Sequence, residues 1–177
     1  MNALFPKRVF WLYGLSGAGK TTLADQVAKR LQARGHAPLV LDGDALRSGL
    51  CRDLGFAPED RLENVRRTAE LARLLSAQGH LVICALMTPH ESMRRLARSI
   101  VGNESFHEVY LRCDYTTCAR RDPKGLYAGA EAGELKHLPG KDMAFEEPLR
   151  PDLVLETDRR SVEECADTLL AVIRRET

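Results

Sequence analysis

The chain lacks most features that would place it outside ordinary globular enzymes. Its 177 residues include one tryptophan, and aromatic side chains make up 6%. No apolar stretch approaches the ~20 residues needed to span a bilayer, which argues against a membrane span. The five cysteines (Cys51, Cys84, Cys113, Cys118, Cys165) include no Cys-x-x-Cys pair, and the five histidines show no ligand spacing. That argues against a zinc site and suits buried thiols of a reducing compartment. The stretch Phe5-Pro6-Lys7-Arg8 is too short and too charged for an export leader, so a cytoplasmic protein is expected. The net charge of +1 leaves no electrostatic footprint for nucleic acid. The absence of an Asn-Lys-x-Asp motif argues against a GTPase, and there is no internal repeat or low-complexity tract.

Against these absences stands Gly14-Leu15-Ser16-Gly17-Ala18-Gly19-Lys20-Thr21, which fits the phosphate-loop pattern G-x-x-x-x-G-K-[ST]. The apolar run Val9 to Tyr13 precedes it and reads as a buried strand. Thr22 to Leu31 follows, with Leu23, Val27 and Leu31 at helical spacing. Small residues from Gly14 through Ser16, Gly17, Ala18 and Gly19 let main-chain N–H groups curl around phosphate oxygens, and the helix N-terminus adds partial positive charge. Lys20 is expected to reach the β- and γ-phosphates of ATP. The Thr21 hydroxyl is expected to ligate Mg²⁺, with Thr22 beside it in the first turn.

Further apolar runs end near Asp42, Leu86, Arg112 and Leu155 and alternate with helical patterns over 59–78, 89–100, 114–121 and 161–173. That alternation predicts one α/β domain over 1–177, with the P-loop kinase fold: a five-stranded parallel sheet with helices on both faces. The segment 122–150 breaks the rhythm with seven glycines and prolines and reads as a lid.

Candidate acceptor residues cluster at the expected strand ends. One carboxylate of Asp42-Gly43-Asp44 suits water-mediated Mg²⁺ binding or proton acceptance from an attacking hydroxyl; a plain Asp turn is the alternative. Arg47 follows and suits an oxyanion. Arg61, Asn64 and Arg67 share one helical face, either as an anion site or as a solvated charged face. Met87 and Thr88 end the third strand, where Thr88 is expected at the cleft edge with its hydroxyl exposed, or else as a helix cap. Arg121 and Lys124 open the lid and suit charge on a transferred phosphoryl group.

Together these segments resemble the adenylylsulfate kinase family over nearly the whole chain. The carrying residues are the phosphate loop, Leu41-Asp42-Gly43-Asp44 with Arg47, Asp53-Leu54-Gly55-Phe56, Asp60-Arg61, Glu63-Asn64-Val65-Arg66-Arg67 and Arg121-Asp122-Pro123-Lys124-Gly125-Leu126-Tyr127. The resemblance implies transfer of the γ-phosphoryl group of ATP to the 3′-hydroxyl of adenosine 5′-phosphosulfate, with Mg²⁺, in a homodimer. It implies Asp44 as base or orienter of that hydroxyl, and Arg47, Arg61 and Asn64 as holders of the phosphosulfate. Phe56 would stack on the acceptor adenine. Thr88 is a catalytic candidate because it falls where the family has a serine sometimes described as a phosphorylated intermediate, with direct in-line transfer the favoured route. The chain departs from the family pattern at Ala45, at Met87-Thr88-Pro89-His90 and at Leu138, which replaces the second aromatic of the adenine clamp. An alternative is a related kinase for another nucleotide-linked acceptor, such as a cytidine diphosphate derivative. A non-catalytic nucleotide sensor is a third reading, which Lys20 and Asp44 oppose.

Overall fold

The computed structural model describes residues 8–175; residues 5–7 of the stretch discussed above lie outside the described residues. The elements run β1 (Arg8–Tyr13), α1 (Lys20–Gln32), β2 (Leu39–Asp42), α2 (Gly43–Arg47), α3 (Pro58–Ala77), β3 (Leu81–Ala85), α4 (Glu91–Val101), β4 (Phe106–Arg112), α5 (Tyr115–Arg121), α6 (Leu126–Glu131), β5 (Leu153–Glu156) and α7 (Val162–Arg175). The five strands are parallel in the order β2-β3-β1-β4-β5, as the alternating pattern predicts.

Strand β1 is central and buried on both faces after Arg8, so it reads as a continuous apolar run. Phe10 and Leu12 join one core cluster with Val27 and Leu31 of α1 and Leu169 and Ile173 of α7. Val9, Trp11 and Tyr13 join the other with Val65 and Ala69 of α3 and Met93 and Ala97 of α4. From β1 the chain crosses to β2 at the sheet edge, returns to β3 beside β1, then switches to β4 and β5 on the other side. That switch leaves a crevice at the carboxyl end of β1, where α/β sheets bind ligands.

A polar group crosses the second cluster. The Tyr13 hydroxyl donates to Glu108 Oε1 at 2.6 Å, and Arg94 and Arg98 approach the same carboxylate at 3.4 and 3.1 Å. Arg94 also donates to the Thr88 and Pro89 carbonyls, which fixes the β3–α4 loop at the crevice. Paired in this way, the buried Glu108 is not left as an uncompensated charge.

Three elements differ from the sequence expectation, the first being the short helix α2, which forms directly after Asp42 where no helical pattern is expected. Helix α4 starts at Glu91 rather than at Pro89. The irregular segment 122–150 contains α6, whose six residues are too short to show periodicity. Its first turn is held by the Asp122 carboxylate, which accepts from the Tyr127 and Ala128 N–H groups. Among the described residues no helix is long and apolar enough to cross a membrane.

Side-chain caps hold the starts of α5 and α7. Asp114 accepts from Thr117 N at 2.8 Å, and Ser161 and Glu164 bond each other's main-chain N–H at 2.8 and 3.2 Å. Ser161→Ala should therefore lower stability by about 1 kcal/mol. Urea unfolding followed by circular dichroism reads this; an unchanged midpoint would remove the cap from the account.

Candidate active site

The crevice is a cleft of about 740 Å³ that holds the phosphate loop at one end and the α2–α3 region at the other. At the loop, Gly19 is the N-cap of α1 and has no side chain to cap the helix, so first-turn N–H groups face the cleft without a side-chain acceptor. Gly17 has φ 78°, and a Cβ there would lie 2.8 Å from the Cys118 carbonyl oxygen. Only glycine lets the loop pack on α5 at that point.

Lys20 bends back over the loop, its Nζ donating to the Gly14 carbonyl at 3.0 Å and the Leu15 carbonyl at 2.8 Å. Burial, and then the neighbouring Lys124 charge, bring its pKa down to about 8. The Thr21 hydroxyl donates to Asp42 Oδ2 at 2.6 Å. Asp42 Oδ1 accepts from the Asp44 and Ala45 N–H groups and so caps α2. The Asp-Gly-Asp motif thus splits: Asp42 faces Thr21, while Asp44 contacts Lys124. Arg121 donates to the Gly17 carbonyl at 3.2 Å and the Thr157 carbonyl at 2.7 Å, which ties the loop to the end of β5.

At the other end, Arg47 and Arg61 flank the half-exposed Phe56 ring at 4.5 and 5.4 Å from its centroid. Arg47 donates to the Leu54 and Gly55 carbonyls, and Arg61 to the Phe56 and His137 carbonyls. Burial lowers the pKa of both groups, and Arg47 beside Arg61 lowers that of Arg61 further. Two guanidinium groups desolvated side by side, bonded to carbonyls, form a site that an anion would stabilise. Asn64 lines the same cleft; its side-chain oxygen is buried without a hydrogen-bond partner, so its NH₂ group is the one that can meet an anion. Met87 and Leu138 line the cleft as apolar wall.

Arg67, on the same helical face in the sequence, is drawn away: Asp53 holds it at 2.7 and 2.8 Å and Glu63 at 2.9 Å. Thr88 corrects the sequence expectation more sharply. It is fully buried, and its hydroxyl accepts from Trp11 Nε1 at 3.1 Å, so it neither edges the cleft nor caps α4. The neighbouring strand supplies its partner, which its position at a strand end does not reveal. Sequence reasoning missed Thr157, Arg160, Val162 and Cys165, which line the cleft beside Arg121. The Ser161 capping box was the only local signal there. It also missed Tyr127, buried in α6, whose hydroxyl donates to the Ser16 carbonyl at 2.9 Å.

A family model described as adenylylsulphate kinase matches residues 7–156. The chain belongs to the adenylylsulphate kinase family. An adenylyl-sulfate kinase of Paraburkholderia xenovorans is 53% identical over 92% of this chain and 90% of its own length. One of Bacillus licheniformis is 47% identical over 96% of this chain and 86% of its own. The structure of the Mycobacterium tuberculosis APS kinase CysC, in complex with AMPPNP and APS, superposes with a TM-score of 0.91 at 42% identity. It covers 94% of this chain and 97% of that one. Membership in this kinase family accounts for a phosphate loop and an anion-receptive pocket sharing one cleft.

Two outcomes follow from this geometry. Thr88→Val orphans the buried Trp11 N–H and should cost about 1–3 kcal/mol in stability, read by thermal melting, while phosphoryl transfer per folded molecule persists. Loss of transfer without loss of stability would return the hydroxyl to the chemistry. Because the ammonium form of Lys20 is the one that binds a triphosphate, affinity for an ATP analogue should fall as pH rises through about 8. Calorimetry in two buffers of different ionisation enthalpy should show proton uptake on binding above that pH; no uptake would refute the depressed pKa.

Proposed function

We propose that this chain transfers the γ-phosphoryl group of ATP to the 3′-hydroxyl of adenosine 5′-phosphosulfate. The products are ADP and 3′-phosphoadenosine 5′-phosphosulfate, the activated sulfate donor. The observation that carries the reading is the pair Arg47 and Arg61 around Phe56, desolvated and bonded to carbonyls, in one cleft with the phosphate loop. An adenine stacks on Phe56 while its phosphosulfate meets the guanidinium groups and Asn64.

In this reading the main-chain N–H groups of 16–19 and Lys20 hold the triphosphate, and Arg121 with Thr157 and Arg160 frames the donor end of the cleft. Asp44 accepts the 3′-hydroxyl proton as the O3′–P bond forms and the bond from the γ-phosphorus to the bridging oxygen breaks. Lys124, paired with Asp44, supplies positive charge for the moving phosphoryl group in this reading. The adjacent hard oxygens of Thr21 and Asp42 fit Mg²⁺, which would neutralise β- and γ-phosphate charge when bound.

We read 122–150 as the lid of a single kinase domain, because it lines the cleft through Pro123, Lys124, Leu126 and 135–139. A homodimer belongs to the same reading on the family resemblance, with Leu62 and Leu74 of α3 exposed. So does a cytoplasmic setting, which five buried free thiols support. One observation favours a different nucleotide-linked acceptor: the wall at position 138 is leucine, which cannot stack on a base.

A coupled ADP-release assay over a panel of nucleotide acceptors tests both readings. Adenosine 5′-phosphosulfate should turn over, and Asp44→Ala should lower kcat by about 10²–10⁴-fold with ATP affinity kept. Turnover with a cytidine diphosphate derivative alone would replace the acceptor. Equal rates in wild type and variant would remove Asp44 as the base.

A further inference from the structure

His137 is one of two described non-glycine residues with positive φ, at 64°. A left-handed histidine persists only where its surroundings enforce it. Here the enforcing group is a carboxylate. Asp142 Oδ2 accepts the His137 N–H and Oδ1 accepts the Leu138 N–H, both at 2.6 Å. In that conformation the His137 carbonyl accepts from Arg61 Nη2 at 3.0 Å. The Arg61 Nε donates in turn to the Phe56 carbonyl at 3.0 Å. Leu138, next in the chain, is buried and lines the cleft. A continuous set of contacts therefore runs from Asp142, which does not line the cleft, through His137 to Arg61 and Phe56, which do.

The rest of the turn is fixed by other means. Gly140 N–H donates to the Met143 carbonyl at 2.8 Å, and Met143 N–H to the Leu138 carbonyl at 3.3 Å. Gly140 has φ 93°, and a Cβ there would lie 2.8 Å from Leu15 Cδ2, so this end of the turn rests on the phosphate loop. Losing the Asp142 carboxylate leaves those contacts in place and releases only the His137 and Leu138 N–H groups.

We infer that Asp142 is a positioning residue for the acceptor: by holding His137 in the left-handed conformation, it latches the Leu138 wall onto Arg61 and sets the acceptor pocket. The inference rests on the reading of Arg61, Phe56 and Leu138 as acceptor-binding residues. The two N–H bonds, that of His137 first, hold the Asp142 carboxyl below its usual range, so the latch stays charged at neutral pH.

The test compares wild type, Asp142→Ala, Asp142→Asn and the double variant His137→Gly/Asp142→Ala by steady-state kinetics and by hydrogen–deuterium exchange without substrate. Asp142→Ala should raise the KM for adenosine 5′-phosphosulfate about tenfold, with kcat and the KM for ATP held within about twofold. Asp142→Asn keeps one acceptor oxygen and should fall between. In the double variant, glycine adopts positive φ unaided, so most of the lost acceptor affinity should return. The amides of residues 137 and 138 should exchange faster in Asp142→Ala. Equal loss for both substrates, no recovery in the double variant, or unchanged exchange would overturn the inference. Absence of wild-type turnover with adenosine 5′-phosphosulfate would instead overturn the acceptor assignment, while the exchange measurement still decides whether Asp142 holds the latch.

Discussion

An ammonium bent over its own loop is the constraint on which the donor half of this molecule depends. Lys20 closes the phosphate loop by bonding the carbonyls of Gly14 and Leu15, and it does so in a desolvated place that weakens its hold on a proton. Everything around it is arranged to tolerate that. Strand β1 delivers the loop at the topological switch point, buried on both faces so that its end is rigid. Gly17 admits the α5 carbonyl, Tyr127 grips the Ser16 carbonyl, and Arg121 grips the Gly17 carbonyl. The loop is thus held from outside by three contacts, while its N–H groups are left for a ligand.

The acceptor half solves a different problem. Like charges repel, and burial makes the repulsion worse, yet Arg47 and Arg61 both lie over one ring. Carbonyl oxygens and the π-face of Phe56 stabilise them in part. The remainder is an electrostatic demand that an anion would meet. Arg67 shows the contrast: two carboxylates satisfy it, and it takes no part in the cleft.

What the sequence revealed follows from how local each signal is. The phosphate loop is contiguous, and its chemistry demands particular residues at fixed spacing, so Gly14 to Thr21 was legible. The sheet was legible because buried parallel strands are apolar throughout. Thr88 was not, because its partner Trp11 lies on another strand and 77 residues away. Periodicity put Arg61, Asn64 and Arg67 on one face but said nothing of Asp53, which comes from the preceding loop. Helix α6 was hidden because a side chain outside it, Asp122, holds its first turn. The donor-end residues 157–165 carry a helix capping box but no nucleotide-binding motif; they line the cleft next to Arg121, whose guanidinium bonds the Thr157 carbonyl.

Asp42 has two oxygens and two clients. One oxygen takes the hydroxyl beside the triphosphate cradle, and the other pins the start of α2, the helix that carries both Asp44 and Arg47. A single carboxylate is therefore a rivet between the two halves of the cleft. The donor side cannot shift without dragging Asp44 and one guanidinium along with it. The walls of the cleft, by contrast, carry no such bond to the phosphate loop's hydroxyl and can change without moving it.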